Sequence, residues 1–73
     1  MLNQEQKDRI LNALPTEARN LLHDQHINII LNLQNPIGYV DKALGQHNLP
    51  HMYKHMEAYF ELKKLLIQEI DTI

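Results

Sequence analysis

The last third of the chain, residues 48–73, constrains the fold more than any other stretch. After Pro50 neither proline nor glycine interrupts it, so residues 50–70 can form one helix of about 30 Å. The apolar residues recur at spacings of three and four, which places them on one side of that helix. The face that we assign to the core consists of Met52, Met56, Tyr59, Phe60, Leu66, Ile67 and Ile70, with Leu49 and Tyr53 at its margin.

Two further leucines of the same segment, Leu62 and Leu65, fall outside this face. Apolar side chains therefore cover well over half of the circumference, whereas a surface helix ordinarily shows about a third. A helix with two apolar sides needs two partners. It is either the central helix of its own bundle or part of an interface with another chain.

The length of the chain limits what it can bury. Seventy-three residues form at most one domain, residues 1–73, and such a chain buries only about 60% of its unfolded surface. A monomer would be marginally stable, so oligomerisation is expected. No stretch approaches the roughly 18 consecutive apolar residues of a membrane span, and the first residues are polar. We therefore expect a cytoplasmic protein with no membrane partner.

Helix signals divide the rest of the chain and predict an all-α fold. Asn3 is a suitable N-cap, and Pro15 suits a first helical turn. Asn35 followed by Pro36 repeats the signal of a cap and a proline start. Gly45 is expected to end the third helix as a left-handed C-cap. The predicted helices cover about residues 3–13, 15–34, 36–44 and 50–70.

The simplest assembly is a small bundle of three to four helices, with the long C-terminal helix antiparallel to the second helix. In this pairing His26 comes level with Tyr59 or Phe60. The second helix is also apolar on more than one side, and the short first helix offers few apolar side chains to cover the surplus. We predict that an exposed patch results, which marks a site for a partner. Its residues are Ile27, Leu31, Leu62 and Leu65.

Lys63 lies close to the middle of the face assigned to the core. A charge at such a position is costly unless it is paired or extends to water. Either its stem packs while the ammonium reaches solvent, or it pairs with a carboxylate of another chain and sets the register of a dimer. The second interpretation makes Lys63 a partner-binding residue.

Five histidines among 73 residues invite a metal interpretation. His51 and His55 would project from one face of the last helix, as two imidazole ligands of one ion must. His47, however, precedes Pro50 and falls outside that helix, and no acidic residue completes a motif such as H-E-x-x-H. We predict neither a metal site nor a cofactor.

The residues that enzymes use are scarce. The sequence contains no serine, no cysteine and no glycine-rich phosphate loop, and no pair of carboxylates lies within an apolar face. A tyrosine such as Tyr59 on a core face ordinarily serves packing. We expect a protein that is not an enzyme.

Residues 36–60 outline a helix, a glycine turn and a second helix, which is the order of a helix-turn-helix. His51, Lys54 and His55 would then reach base edges or phosphates. Against this, Gln46 follows the glycine where an apolar residue ordinarily packs the turn. Both arginines lie outside the region, and the net charge of −2 offers little attraction for phosphate. A small DNA-binding regulator is the alternative prediction.

The surplus of apolar surface favours a different role. It is typical of a non-catalytic protein–protein interaction module, such as an adaptor, an inhibitor or an accessory regulator. We expect this module to act as a homodimer through its second and last helices. Its partners would be a second copy of the chain and another macromolecule.

Overall fold

A computed structural model describes residues 2–46 and 53–71, which are helical throughout apart from short connections. The helices of these residues are α1 (Gln4–Ala13), α2 (Thr16–Leu22), α3 (Asp24–Leu31), α4 (Pro36–Gln46) and α5 (Tyr53–Asp71). α5 packs against α1, α2 and α4, while α3 packs against α2 and α4. The predicted all-α class with a long C-terminal helix is confirmed. The described residues form five helices rather than three or four.

The first helix starts where the sequence predicts. The Asn3 Oδ1 atom accepts a hydrogen bond from the Gln6 backbone N–H at 2.8 Å, and Gln6 Oε1 accepts one from the Asn3 N–H at 2.9 Å. This reciprocal capping box satisfies N–H groups that the helix itself leaves unpaired. The inner side of α1 buries Ile10.

The second predicted helix, residues 15–34, is broken at His23. This residue has φ 69° and ψ 135° and is the one non-glycine residue with positive φ in the described chain. Such a conformation costs on the order of 1–3 kcal/mol for an L residue. The Arg19 guanidinium bridges the break, donating to both carboxylate oxygens of Asp24 at 3.1 and 2.7 Å. Because of the break, both α2 and α3 contribute buried side chains to one core.

α4 begins at Pro36 as predicted but continues beyond Gly45. The Asn35 Oδ1 atom accepts a hydrogen bond from the Gly38 N–H at 3.0 Å, which confirms the predicted cap. Gly38 leaves room for this amide, since a Cβ there would approach Asn35 Nδ2 to 2.5 Å. Gly45 has no positive φ, so the predicted left-handed C-cap is wrong: the helix runs through this residue. Residues 47–49, which precede the last predicted helix, lie outside the described residues.

α1 runs antiparallel to α5. Near the C-terminal end of α5, Glu69 accepts hydrogen bonds from Arg9 at 2.7 and 3.2 Å, and its backbone carbonyl accepts one from Gln6 Nε2 at 3.3 Å. Near the N-terminal end of α5, Lys54 lies 3.6 Å from Glu17, which follows α1 in the chain. From Gln6 to Glu17 the chain therefore contacts α5 first near its C-terminal end and then near its N-terminal end, which is the order of an antiparallel arrangement.

The predicted antiparallel pairing of the second helix with the last one is wrong. His26 does meet Tyr59, whose hydroxyl lies 3.4 Å from His26 Nε2, as the sequence predicts. If the predicted second helix ran antiparallel to α5 with His26 opposite Tyr59, Glu17 would lie near the C-terminal end of α5. It lies beside Lys54 instead, because the break at His23 changes the course of the chain between these contacts.

All five helices contribute to one cluster of buried apolar side chains. Within the described residues, every buried side-chain nitrogen or oxygen has a hydrogen-bond partner. None of the helices in 2–46 and 53–71 combines the length and the apolar character needed to cross a membrane.

Candidate functional site

The inner face of α5, defined by Ala58, Leu62 and Leu66, lies against the core. Leu62 and Leu66 are fully buried, and Leu65 is half-buried against the same cluster. The prediction that Leu62 belongs to an exposed patch is therefore wrong, and Leu65 is only partly open to solvent. α1, α2 and α4 together cover this side of the helix, which the short first helix alone would not do.

The two predicted patch residues of α3, Ile27 and Leu31, are also fully buried. The break at His23 separates α3 from the axis of α2, and α3 packs against α4 as well as α2. The apolar side that a continuous helix would have left uncovered is thus inside the molecule. Neither residue is available to a partner in this fold.

Lys63 has a carboxylate partner within its own chain. Its Nζ atom lies 2.5 Å from Asp41 Oδ1 on α4, with 29% of the Lys63 side chain and 51% of the Asp41 side chain exposed. The carboxylate that pairs with Lys63 therefore belongs to α4 of the same chain and not to another chain. This pair does not require a dimer.

Four large apolar residues of α5 are exposed, and three of them, all but Ile70, lie in one row on its outer face. Tyr53, Phe60 and Ile67 are 62%, 52% and 37% exposed. They are spaced by seven residues, or about two turns, and form a row on the side of α5 opposite Leu62. We call Tyr53, Phe60 and Ile67 the α5 ridge. The assignment of Phe60, Ile67 and Ile70 to the core is wrong.

Charged residues separate the members of the α5 ridge. Glu57 lies between Tyr53 and Phe60, and Lys64 between Phe60 and Ile67, and both charges are exposed. Lys64 Nζ lies 3.6 Å from Glu61 Oε1 in the preceding turn, with 68% of the lysine side chain exposed. A contact of this kind contributes little to stability, so Lys64 can turn toward a partner at small cost.

A groove of about 380 Å³ adjoins the ridge between α2 and α5. Its apolar lining includes Ala18, Leu21 and Ala58, and Phe60 forms part of its wall. The remaining lining residues are Pro15, Glu17, Lys54, Glu57 and Glu61. The groove therefore combines an apolar interior with a rim that carries three carboxylates and one ammonium.

The residues predicted to bind DNA are not brought together as a basic surface. Lys54 is exposed but lies 3.6 Å from Glu17, and it shares the groove with Glu57. His55 is partly buried. His51 lies outside the described residues, as does His47.

No group of three histidine, aspartate or glutamate side chains within residues 2–46 and 53–71 is placed to hold a metal ion. The proposed pairing of His51 with His55 lies partly outside those residues.

His26, Tyr39 and Tyr59 form the contact between α3, α4 and α5. The His26 ring packs edge-on against Tyr39, with the ring centroids 5.9 Å apart, and the Tyr59 hydroxyl lies 3.4 Å from His26 Nε2. Burial, with a smaller contribution from Tyr39, raises the pKa of Tyr59. Neither Tyr59 nor His26 lines the groove. The cluster joins helices, which is the packing role predicted for Tyr59.

The features above define a small all-α chain with a closed core and an apolar ridge on the outside of its last helix. No protein-family model, no curated protein and no solved structure matches this chain.

Proposed function

We propose that this chain is a non-catalytic protein–protein interaction module, such as an adaptor, an inhibitor or an accessory regulator, and that its partner docks on the α5 ridge. The observation that carries this proposal is the exposure of Phe60 and Tyr53, each more than half open to solvent on one helix face. Aromatic residues are enriched at protein interfaces because they bury a large rigid area at small entropic cost.

The neighbouring groove supports the same role. Its apolar lining next to Phe60 can accept a side chain from a partner, and its charged rim can fix the orientation of that partner. The described residues offer no comparable arrangement for a reaction. The contact between His26 and Tyr59 serves helix packing.

The alternative, a DNA-binding regulator, draws less support from the charges around its residues. Glu17, Glu57 and Glu61 lie in the same groove as Lys54, which weakens any attraction for phosphate. Titration of a random duplex at low salt separates the two functions. A regulator would show weak, salt-sensitive binding that Lys54→Ala removes, and an interaction module none.

Photo-crosslinking tests the docking surface directly. A photoreactive amino acid replacing Phe60 is expected to give a covalent product with another polypeptide in cells that make the protein. The same amino acid at Ile29, which is 61% exposed on α3, serves as the matched control and should give none.

The crosslinked polypeptide is then purified and mixed with the wild-type chain and with Phe60→Gln. Binding that Phe60→Gln abolishes while helicity is kept would support the proposal. Equal amounts of crosslinked product from the two labelled positions would contradict it. Equal binding of the purified polypeptide to the wild type and to Phe60→Gln would also contradict it.

A further inference from the structure

We infer that the partner seated on the α5 ridge is a second copy of this chain, with the two α5 helices antiparallel and Phe60 of each copy near the two-fold axis. The inference rests on the proposed docking role of the ridge. It moves the expected homodimer from Leu62, which is buried, and Leu65, which is partly buried, to the opposite side of the same helix.

The spacing of the ridge suits a helix partner. Tyr53 and Ile67 lie on either side of Phe60, each seven residues away, so the ridge extends about 21 Å along α5. In an antiparallel pair centred on Phe60, the Tyr53 end of one ridge meets the Ile67 end of the other. A two-fold contact makes each such interaction twice, so both copies bury the whole ridge.

The charges on the ridge select the direction of pairing. Glu57 and Lys64 lie at nearly equal distances along the helix on opposite sides of Phe60. In an antiparallel pair, Glu57 of each copy comes within reach of Lys64 of the other. A parallel pair would instead place Glu57 beside Glu57 and Lys64 beside Lys64, which is unfavourable at the 8–10 Å separation typical of packed helices.

The intrachain contacts of these two residues leave them available. Lys64 has only an exposed contact with Glu61 at 3.6 Å, and no ion pair joins Glu57 to another side chain among the described residues. A single pair of helices buries an area at the low end for specific complexes. The dimer is therefore expected to be weak, with a dissociation constant of about 10 μM.

Sedimentation equilibrium of the full chain tests the inference over about 5 to 500 μM. The wild type should pass from monomer to dimer. Glu57→Lys and Lys64→Glu, made separately, each oppose like charges in the antiparallel pair and should weaken the dimer by about tenfold or more. The double variant Glu57→Lys with Lys64→Glu restores opposite charges, and its dissociation constant should return to near that of the wild type.

Two further variants complete the experiment. Phe60→Gln should abolish the dimer, and Lys42→Glu, the same charge change at an exposed position of α4, should leave it unchanged. Circular dichroism confirms that each variant keeps its helicity, as expected for exposed sites.

Three outcomes would overturn the inference. A wild type that stays monomeric throughout excludes self-association, yet leaves open the docking of a different protein on Phe60. A dimer that ignores Phe60→Gln uses another surface. A dimer lost with Phe60→Gln but indifferent to the single charge reversals is not antiparallel.

Discussion

The two faces of α5 are both apolar, yet one is core and the other is surface. The inner face presents Ala58, Leu62 and Leu66, and no charge interrupts that row. The outer face presents larger aromatic residues, but Glu57 and Lys64 occur between them. Burying the outer face inside the chain would require burying those charges, which costs several kcal/mol each. An unbroken apolar row, rather than the total apolar content, identifies the face that is buried.

The largest expected effect is the difference in unfolding free energy between shortening a side chain on the inner face and shortening one on the outer face of α5. Leu62→Ala removes a fully buried side chain and should lower the free energy of unfolding by about 3 kcal/mol. Phe60→Ala, on the outer face, should change it by less than about 0.5 kcal/mol at concentrations where the chain is monomeric. Urea unfolding followed by circular dichroism measures both. Equal losses would mean that the faces are not distinct.

A second substitution tests the bend that brings α3 over the core. His23→Gly removes the strain of a positive φ and should stabilise the fold by about 1 kcal/mol, after allowing for the greater freedom of glycine when unfolded. His23→Ala keeps the strain and should give no gain. Thermal unfolding of both variants decides the matter, and an equal gain from alanine would argue against strain at this residue.

Lys63 lies at the boundary between the two faces, and its ion pair with Asp41 should contribute little. Because the groups are partly open to solvent, a double-mutant cycle with Lys63→Gln and Asp41→Asn should give a coupling below about 1 kcal/mol. The coupling should not change with protein concentration, since both residues belong to one chain. A coupling that grows with concentration would instead indicate pairing between chains.

The smallest effect concerns the end of α5, where Glu69 meets Arg9. The hydrogen bonds from Arg9 lower the pKa of Glu69, with desolvation opposing and the Arg9 charge adding to the effect. A carboxylate with a lowered pKa in the folded state stabilises that state above its ordinary pKa of about 4.3, and this contribution is lost as the pH falls through the lower folded value.

Urea unfolding of the wild type and of Glu69→Gln between neutral and acidic pH measures this contribution. The wild type should be the more stable at neutral pH, and the difference should shrink below about pH 4. In an Arg9→Gln background the pH-dependent part of the difference should disappear. If it persists there, Arg9 is not its cause.

Local signals predicted much of the fold. The cap at Asn3, the start at Pro36 and the long last helix follow from hydrogen-bonding and proline chemistry that act within a few residues. The break at His23 could not be predicted, because Asn20, Asp24 and Asn28 of the same stretch belong with histidine to the residues that tolerate positive φ, so residue type alone does not place it. At Gly45 the local signal was misleading, since α4 continues through this residue.

An exposed apolar face of α5 was predicted, but on the wrong side of the helix. Periodicity correctly indicated two apolar faces on α5, but it does not show which of the two faces is buried in the core. The sequence predicts Phe60 in the core and Leu62 at the surface because the side of the helix with more apolar residues is expected to be buried. The positions of Glu57 and Lys64 within one row were the available signal.

The hydrogen bonds that Gln6 and Arg9 donate to Glu69 have a practical consequence. These hydrogen bonds hold the first and last described residues together near the C-terminal end of α5, at the opposite end of that helix from Lys54. Since the sequence has no cysteine, a pair of dyes attached through Glu5→Cys and Ile70→Cys would be unique labels, close together in the native molecule and widely separated once it unfolds. At concentrations where the chain is monomeric, energy transfer between them would report folding of a single copy.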